Sequence, residues 1–163
     1  MKKIGIINEY NFSTEEIKKI PIRKKVRGLI FKNKNTLICV QENGREIKHL
    51  LKLPGGSVEK NESNVKAIKR EILEETGYEI DNIKLIGYIE NIRKEDSIHI
   101  IYYMAKIKGK KKKLKLTDGE LKVGTKPIEM DIEIAKKRFK NEYNKVKNDS
   151  SLRDIMVFNE LKK

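Results

Sequence analysis

Glu71, Glu74 and Glu75 stand at i, i+3 and i+4 along one stretch of the chain. On a helix that spacing projects all three carboxylates from one side. Like charges so placed repel by a few tenths of a kcal/mol even in water, and a cation relieves the strain. Carboxylates presented together to a hard divalent ion are a common way to hold Mg²⁺ or Mn²⁺. Just upstream, Gly55 and Gly56 lack a Cβ and let backbone approach such a site closely. The plainer alternative is a solvated helix face on which these glutamates pair with Lys66 and Lys69.

The wider spacing decides between the two. Gly56 is followed after five residues by Glu62, and after seven more by Arg70-Glu71-Ile72-Leu73-Glu74-Glu75-Thr76-Gly77-Tyr78. With ordinary residue frequencies such a match arises by chance at fewer than roughly one in ten million starting positions. The segment is identified as a complete Nudix box, and the chain resembles the Nudix hydrolase family. Leu53-Pro54-Gly55-Gly56 is similar to the family's usual entry. The resemblance implies an α/β/α sandwich around a mixed β-sheet, with the box as a loop–helix–loop and helices at the C-terminal end. It implies Mg²⁺ or Mn²⁺ bound by Glu71, Glu74 and Glu75, with the Gly56 carbonyl as a backbone ligand. Arg70 matches the arginine that orients the carboxylates through charge-assisted hydrogen bonds, and Glu62 supports the loop. A later-loop carboxylate often joins such sites; Glu120 lies in the expected region, with Asp118 as its rival and a plain polar turn as the alternative. Candidates for the general base are Glu74, Glu75 and Glu120.

These residues need elements to hold them. Strand-like runs are Ile4 to Ile7, Val26 to Phe31, Thr36 to Val40 and Ile47 to Leu53, the last entered through the hairpin signal Asn43-Gly44. Glu62 to Thr76 turns helical, with Val65, Ile68 and Ile72 on one face and Gly77 at the C-cap position. Ile83 to Ile89 and Ile98 to Ile107 read as strands, Thr117 to Pro127 as a polar loop, and Asp131 to Lys147 and Ser151 to Leu161 as helices. Ser151-x-x-Asp154 is similar to a capping box for the last of these. Strands, a helix, strands and then helices make a mixed α/β or α+β domain. Residues 1–22 read as a lead-in segment and 23–163 as a single domain.

The chain has 163 residues, 37% apolar and 38% charged, with a formal net charge of +14. One cysteine, Cys39, forbids an intrachain disulfide and a cysteine-based zinc site, and two histidines argue against a histidine-rich one. The start MKKIGIINEY has no sustained apolar stretch, and no run is long enough to span a membrane, so cytoplasm is the expected compartment. Much of the charge follows a general Lys, Ile, Asn and Glu bias, but Lys106 to Lys115 is denser and looks like an exposed hairpin turn. Tyr88, Tyr102 and Tyr103 could stack on a base, with packing the favoured role; His99 and Cys39 read as structural.

The expected activity is metal-dependent hydrolysis of the pyrophosphate bond in a nucleoside diphosphate linked to another group, a nucleoside triphosphate or a nucleotide sugar. A second reading, drawn from the charge, is pyrophosphate removal from RNA 5′ ends, which makes RNA a candidate partner. A third is a non-catalytic nucleotide or RNA sensor on the same fold. Dimers are common among such relatives, so a homodimer is a further expectation. No residue pattern specifies the substrate-binding side chains.

Overall fold

Two long strands, β2 (Ile22–Phe31) and β6 (Ser97–Lys108), run parallel at the centre of the fold, from Ile22 opposite Ser97 to Phe31 opposite Lys106. The computed structural model describes residues 1–44 and 46–161. Alternation gives each strand two buried faces. Val26, Ile30, Ile101, Tyr103 and Ala105 pack to one side, and Leu29, Ile98, Ile100 and Tyr102 to the other. A sheet apolar on both faces must be covered twice. One cover is α2 (Asn64–Thr76), which buries Ala67, Ile68 and Ile72. The other is the pair α4 (Ile132–Val146) and α5 (Asp149–Glu160), which buries Ala135, Phe139, Val157 and Phe158.

The remaining strands complete a mixed sheet of seven, and one turn of helix, α1 (Thr14–Ile17), lies between β1 and β2. β5 (Glu79–Ile92) is antiparallel to β6, and β1 (Lys3–Asn8) lies parallel to β5 at one edge. On the far side, β3 (Thr36–Glu42) meets β2 only at Leu37–Phe31 and Ile38–Ile30 before the two diverge. β7 (Lys126–Asp131) covers one edge of β3 from Thr36 to Gln41. A strand has two edges, so β4 (Leu50–Lys52), paired with Val40 to Glu42, shares the other edge with β2 and sits in the wedge between β2 and β3. After β4 the chain crosses to β2. Gly28 N donates to the Pro54 carbonyl, Val26 N to Gly56 and Val58 N to Lys24, at 2.9, 2.9 and 3.1 Å.

Several sequence expectations are corrected. Val65 is 43% exposed, and Ala67 takes its place in the core. The expected strand Ile47 to Leu53 shortens to Leu50–Lys52, because Gly44 N closes a turn on the Ile47 carbonyl. The polar loop after Thr117 contains a one-turn helix, α3 (Asp118–Lys122), and the start of β7. Gly109, at φ +71, does turn the chain, but the lysine run makes no hairpin. It lies against the end of α2, where Lys112 N donates to the Gly77 carbonyl and Lys115 N to that of Glu74. α5 is capped by Asn148, whose side chain accepts from Ser151 N, and Asp154 is buried rather than capping. Gly77 has the left-handed conformation expected of a C-cap, at φ +77. Tyr102 and Tyr103 are both buried, on opposite faces. Among the described residues no helix is long and apolar enough to cross a membrane.

Candidate active site

The loop that enters α2 is built around close approach. Gly55, at φ +136, lies so near β2 that a Cβ would run into the Val26 carbonyl oxygen and sit 2.8 Å from the Arg27 Cα. A Cβ on Gly56 would occupy the space of the Glu71 carboxylate. Glu75 closes the junction from the helix side, its Oε2 accepting from Gly55 N at 2.7 Å. Loop and helix are therefore clamped together by the residues that carry the charge.

Arg70 is the hub on the outer side. Its Nε and Nη2 donate to the two carboxylate oxygens of Glu62, each at 3.0 Å, and Nη2 also to the Ser57 carbonyl. Its Nη1 donates to Glu71 at 2.9 Å and to Glu74 at 3.2 Å. One guanidinium thus ties three carboxylates and the loop backbone, and Glu62 braces it.

Oxygens of Glu71, Glu75 and Glu120 lie within 4.8 Å of one another. Glu120 arrives on α3, where its Oε2 caps the helix by accepting from Thr117 N at 2.6 Å and Thr117 Oγ1 at 2.8 Å. Asp118 is not part of this cluster, and Glu74 stands beside it through Arg70. The Gly56 carbonyl accepts from Val26 N and retains a second lone pair. Burial raises the pKa of Glu71, against the pull of Arg70 and with help from Glu74 and Glu120. Burial pushes Glu75 up to about 7, despite Arg27 and the Gly55 N–H, and Glu120 and Glu71 add to the rise. Three crowded carboxylates, two of them buried, suit a hard divalent cation in donor type and charge.

A family model described as a NUDIX domain matches residues 21–146. The chain belongs to the NUDIX family. Its fold is similar to that of a NUDIX hydrolase from Nitrosomonas europaea, with a TM-score of 0.67 at 19% identity over 87% of this chain and 88% of that one. It is also similar to a MutT protein from Methanosarcina mazei, with a TM-score of 0.56 at 19% identity over 89% and 99%. An 8-oxo-dGTP diphosphatase of Buchnera aphidicola is 40% identical over 63 residues, 39% of this chain. An 8-oxo-dGDP phosphatase of Danio rerio is 33% identical over 82 residues, 48% of this chain. The matched stretches span 51% and 25% of those two relatives.

Within this NUDIX domain, sequence reasoning missed Arg27. Its Nη1 donates to the Leu53 carbonyl at the loop entry, and it acts electrostatically on Glu75. The available signal was the alternation Arg23-x-Lys25-x-Arg27, which sets three cations on one face of a strand.

Proposed function

We propose that this chain is a divalent-metal-dependent NUDIX hydrolase that cleaves a pyrophosphate bond in a nucleoside triphosphate. The observation that carries the reading is the convergence of Glu71, Glu75 and Glu120 from two separate helices onto one point. Glu71, Glu75 and Glu120 would hold Mg²⁺ or Mn²⁺, with the Gly56 carbonyl and Glu74 at its margin. A bound divalent cation supplies charge neutralisation of the pyrophosphate oxygens and acidifies water. Arg70 keeps Glu71 and Glu74 turned toward the site. Glu120, more exposed than Glu71 and Glu75, is the carboxylate that water reaches most easily. It takes the proton as the water oxygen bonds to one phosphorus, and the bridging P–O bond breaks with its electron pair on the leaving phosphate. The names of the Buchnera and Danio relatives favour a purine nucleotide of the 8-oxo-deoxyguanosine class.

The test is phosphate release, phosphatase-coupled where the product needs it. The panel holds nucleoside triphosphates including 8-oxo-dGTP, nucleotide sugars and 5′-triphosphate RNA, with Mg²⁺ or Mn²⁺. Turnover of a triphosphate that vanishes in Glu75→Gln supports the reading; equal turnover by the two proteins overturns it. Silence across the panel by folded, metal-loaded protein favours a non-catalytic sensor.

One observation favours RNA ends as a second substrate. The lysine-rich segment is hydrogen-bonded through Lys115 N to the Glu74 carbonyl, which anchors it at the C-terminal end of the helix that carries the glutamates. Neutralising Lys110 to Lys113 is expected to flatten the salt dependence of RNA affinity; an unchanged slope removes RNA from the account.

A further inference from the structure

On β2, alternation places Arg23, Lys25 and Arg27 in a row, opposite Ile98, Ile100 and Tyr102 of β6. All three β6 residues face α5, so the cations line the sheet face opposite α2. The row adjoins the loop of the carboxylate site, for Lys25 pairs with Ser57 and Gly55 lies on Arg27. Lys52 on β4 and Arg153 on α5 are close enough to the row to interact electrostatically with it, and Arg153 adjoins Asp154, which accepts from Leu53 N and from the Tyr102 hydroxyl.

Their partners are uneven. Arg23 is paired with Asp96 at 2.6 Å, and Lys52 with Glu42. Among the described residues, Lys25 and Arg153 have no ion-pair partner, and Arg27 donates only to the Leu53 carbonyl. Buried Glu75 and Asp154 both feel the charge of Arg27, and Asp154 also that of Arg153, whereas the charges that act on Lys25 are all cations. Lys25 is half-buried, and its pKa is lowered by that burial and then by Arg27, Arg153, Arg23 and Arg93. Burial and then Arg27 push Lys52 down to about 8. A half-buried ammonium among other cations is costly, and proteins keep such groups where a ligand completes them.

We propose that Lys25, Arg27 and Arg153 form a seat for a phosphate that is not cleaved, which selects substrates with a third phosphate beyond the pair flanking the scissile bond. This rests on the hydrolase reading for the position of that pair. It names the substrate class as nucleoside triphosphates or longer polyphosphates, because a nucleotide sugar has no phosphate to place there. The uncleaved group stays on the leaving pyrophosphate and departs with it.

The experiment compares wild type, Lys25→Met and Arg153→Met in two readouts. Calorimetric titration with inorganic tripolyphosphate in the presence of a chelator reads the seat without metal or turnover. Wild type is expected to bind, and each variant to bind at least about tenfold more weakly, as for loss of a charged hydrogen bond. Lys25→Met is expected to melt no lower than wild type, because it removes an uncompensated charge, so its loss of affinity is not misfolding. With metal, KM for a nucleoside triphosphate rises by a similar factor while kcat changes little, and KM for any nucleotide sugar turned over stays the same. Equal tripolyphosphate binding by all three proteins overturns the proposal, even if hydrolysis is intact. Lys25-dependent binding by a protein that hydrolyses nothing upholds the seat and sinks the hydrolase reading. If wild type ignores tripolyphosphate but binds 5′-monophosphate RNA through Lys25, the face belongs to a nucleic-acid backbone and the triphosphate assignment is wrong.

Discussion

Each helical layer of this molecule buries a pair of carboxylates, and the pairs are held in opposite ways. Glu142 of α4 and Asp154 of α5 are 6% and 1% exposed; Glu71 and Glu75 of α2 are 8% and 7%. Burial does not separate them. Glu142 accepts from Leu51 N at 3.0 Å on one oxygen and from Arg138 Nε at 2.8 Å on the other. Asp154 accepts from Leu53 N at 3.2 Å and from the Tyr102 hydroxyl at 3.1 Å. These two fill the wedge where β2 and β3 part, giving β4 the partners its free edge lacks. Glu75 accepts one backbone bond and Glu71 one from Arg70, and both face Glu120. What sets the α2 pair apart is unspent acceptor capacity turned toward another negative group.

Substitutions can break that contrast. Glu75→Gln keeps an oxygen for Gly55 N and relieves the crowding. Its turnover is expected to fall by on the order of 10²–10⁴-fold with an unchanged melting temperature; a matching loss of stability would make Glu75 a structural residue like Asp154. Asp154→Ala is expected to do the reverse. It orphans Leu53 N and the Tyr102 hydroxyl in the core and is expected to cost roughly 3 kcal/mol in urea unfolding. Glu142→Gln keeps one acceptor but loses its charge for Arg138, with an expected cost of about 1 kcal/mol by the same measurement.

The smallest effect sharpens the comparison through pH. Burial raises the Asp154 pKa, against Arg27 and the Leu53 N–H. A raised pKa means that the folded state binds the proton more tightly. Its contribution to stability is thus present below the unfolded value near 3.8 and lost as pH rises through the folded one. Urea midpoints of wild type and Asp154→Asn are expected to drift apart across that window, wild type losing ground as pH increases. Parallel curves would mean that Asp154 titrates as it does in the unfolded chain.

The α2 pair was legible because its logic is local: Arg70, Glu71, Glu74 and Glu75 share one helix, and the period alone places them. Gly77 was legible for the same reason, as a helix end. Glu120 could be suspected only through a resemblance, since it comes from another element. Glu142 and Asp154 were illegible, for they meet Leu51 and Leu53 across 91 and 101 residues. Asp154 even stood in a plausible capping pattern, and the true cap, Asn148, lies three residues before the Ser151 expected there. The short β4 escaped because its length is set by the divergence of β2 from β3, which no run of residues encodes.

The crossing from β4 to β2 also sets a timescale. Pro54 to Val58 forms no regular strand, yet its carbonyls and Val58 N are bonded to the centre of the sheet. The amide hydrogens of Val26, Gly28 and Val58 are therefore expected to exchange with solvent at the slow end of the molecule's range. Glu75 reads its position from the Gly55 N–H on this stretch. A loop so bonded is expected to open only together with the sheet, so the spacing of Gly55 and Glu75 is expected to last as long as the fold does.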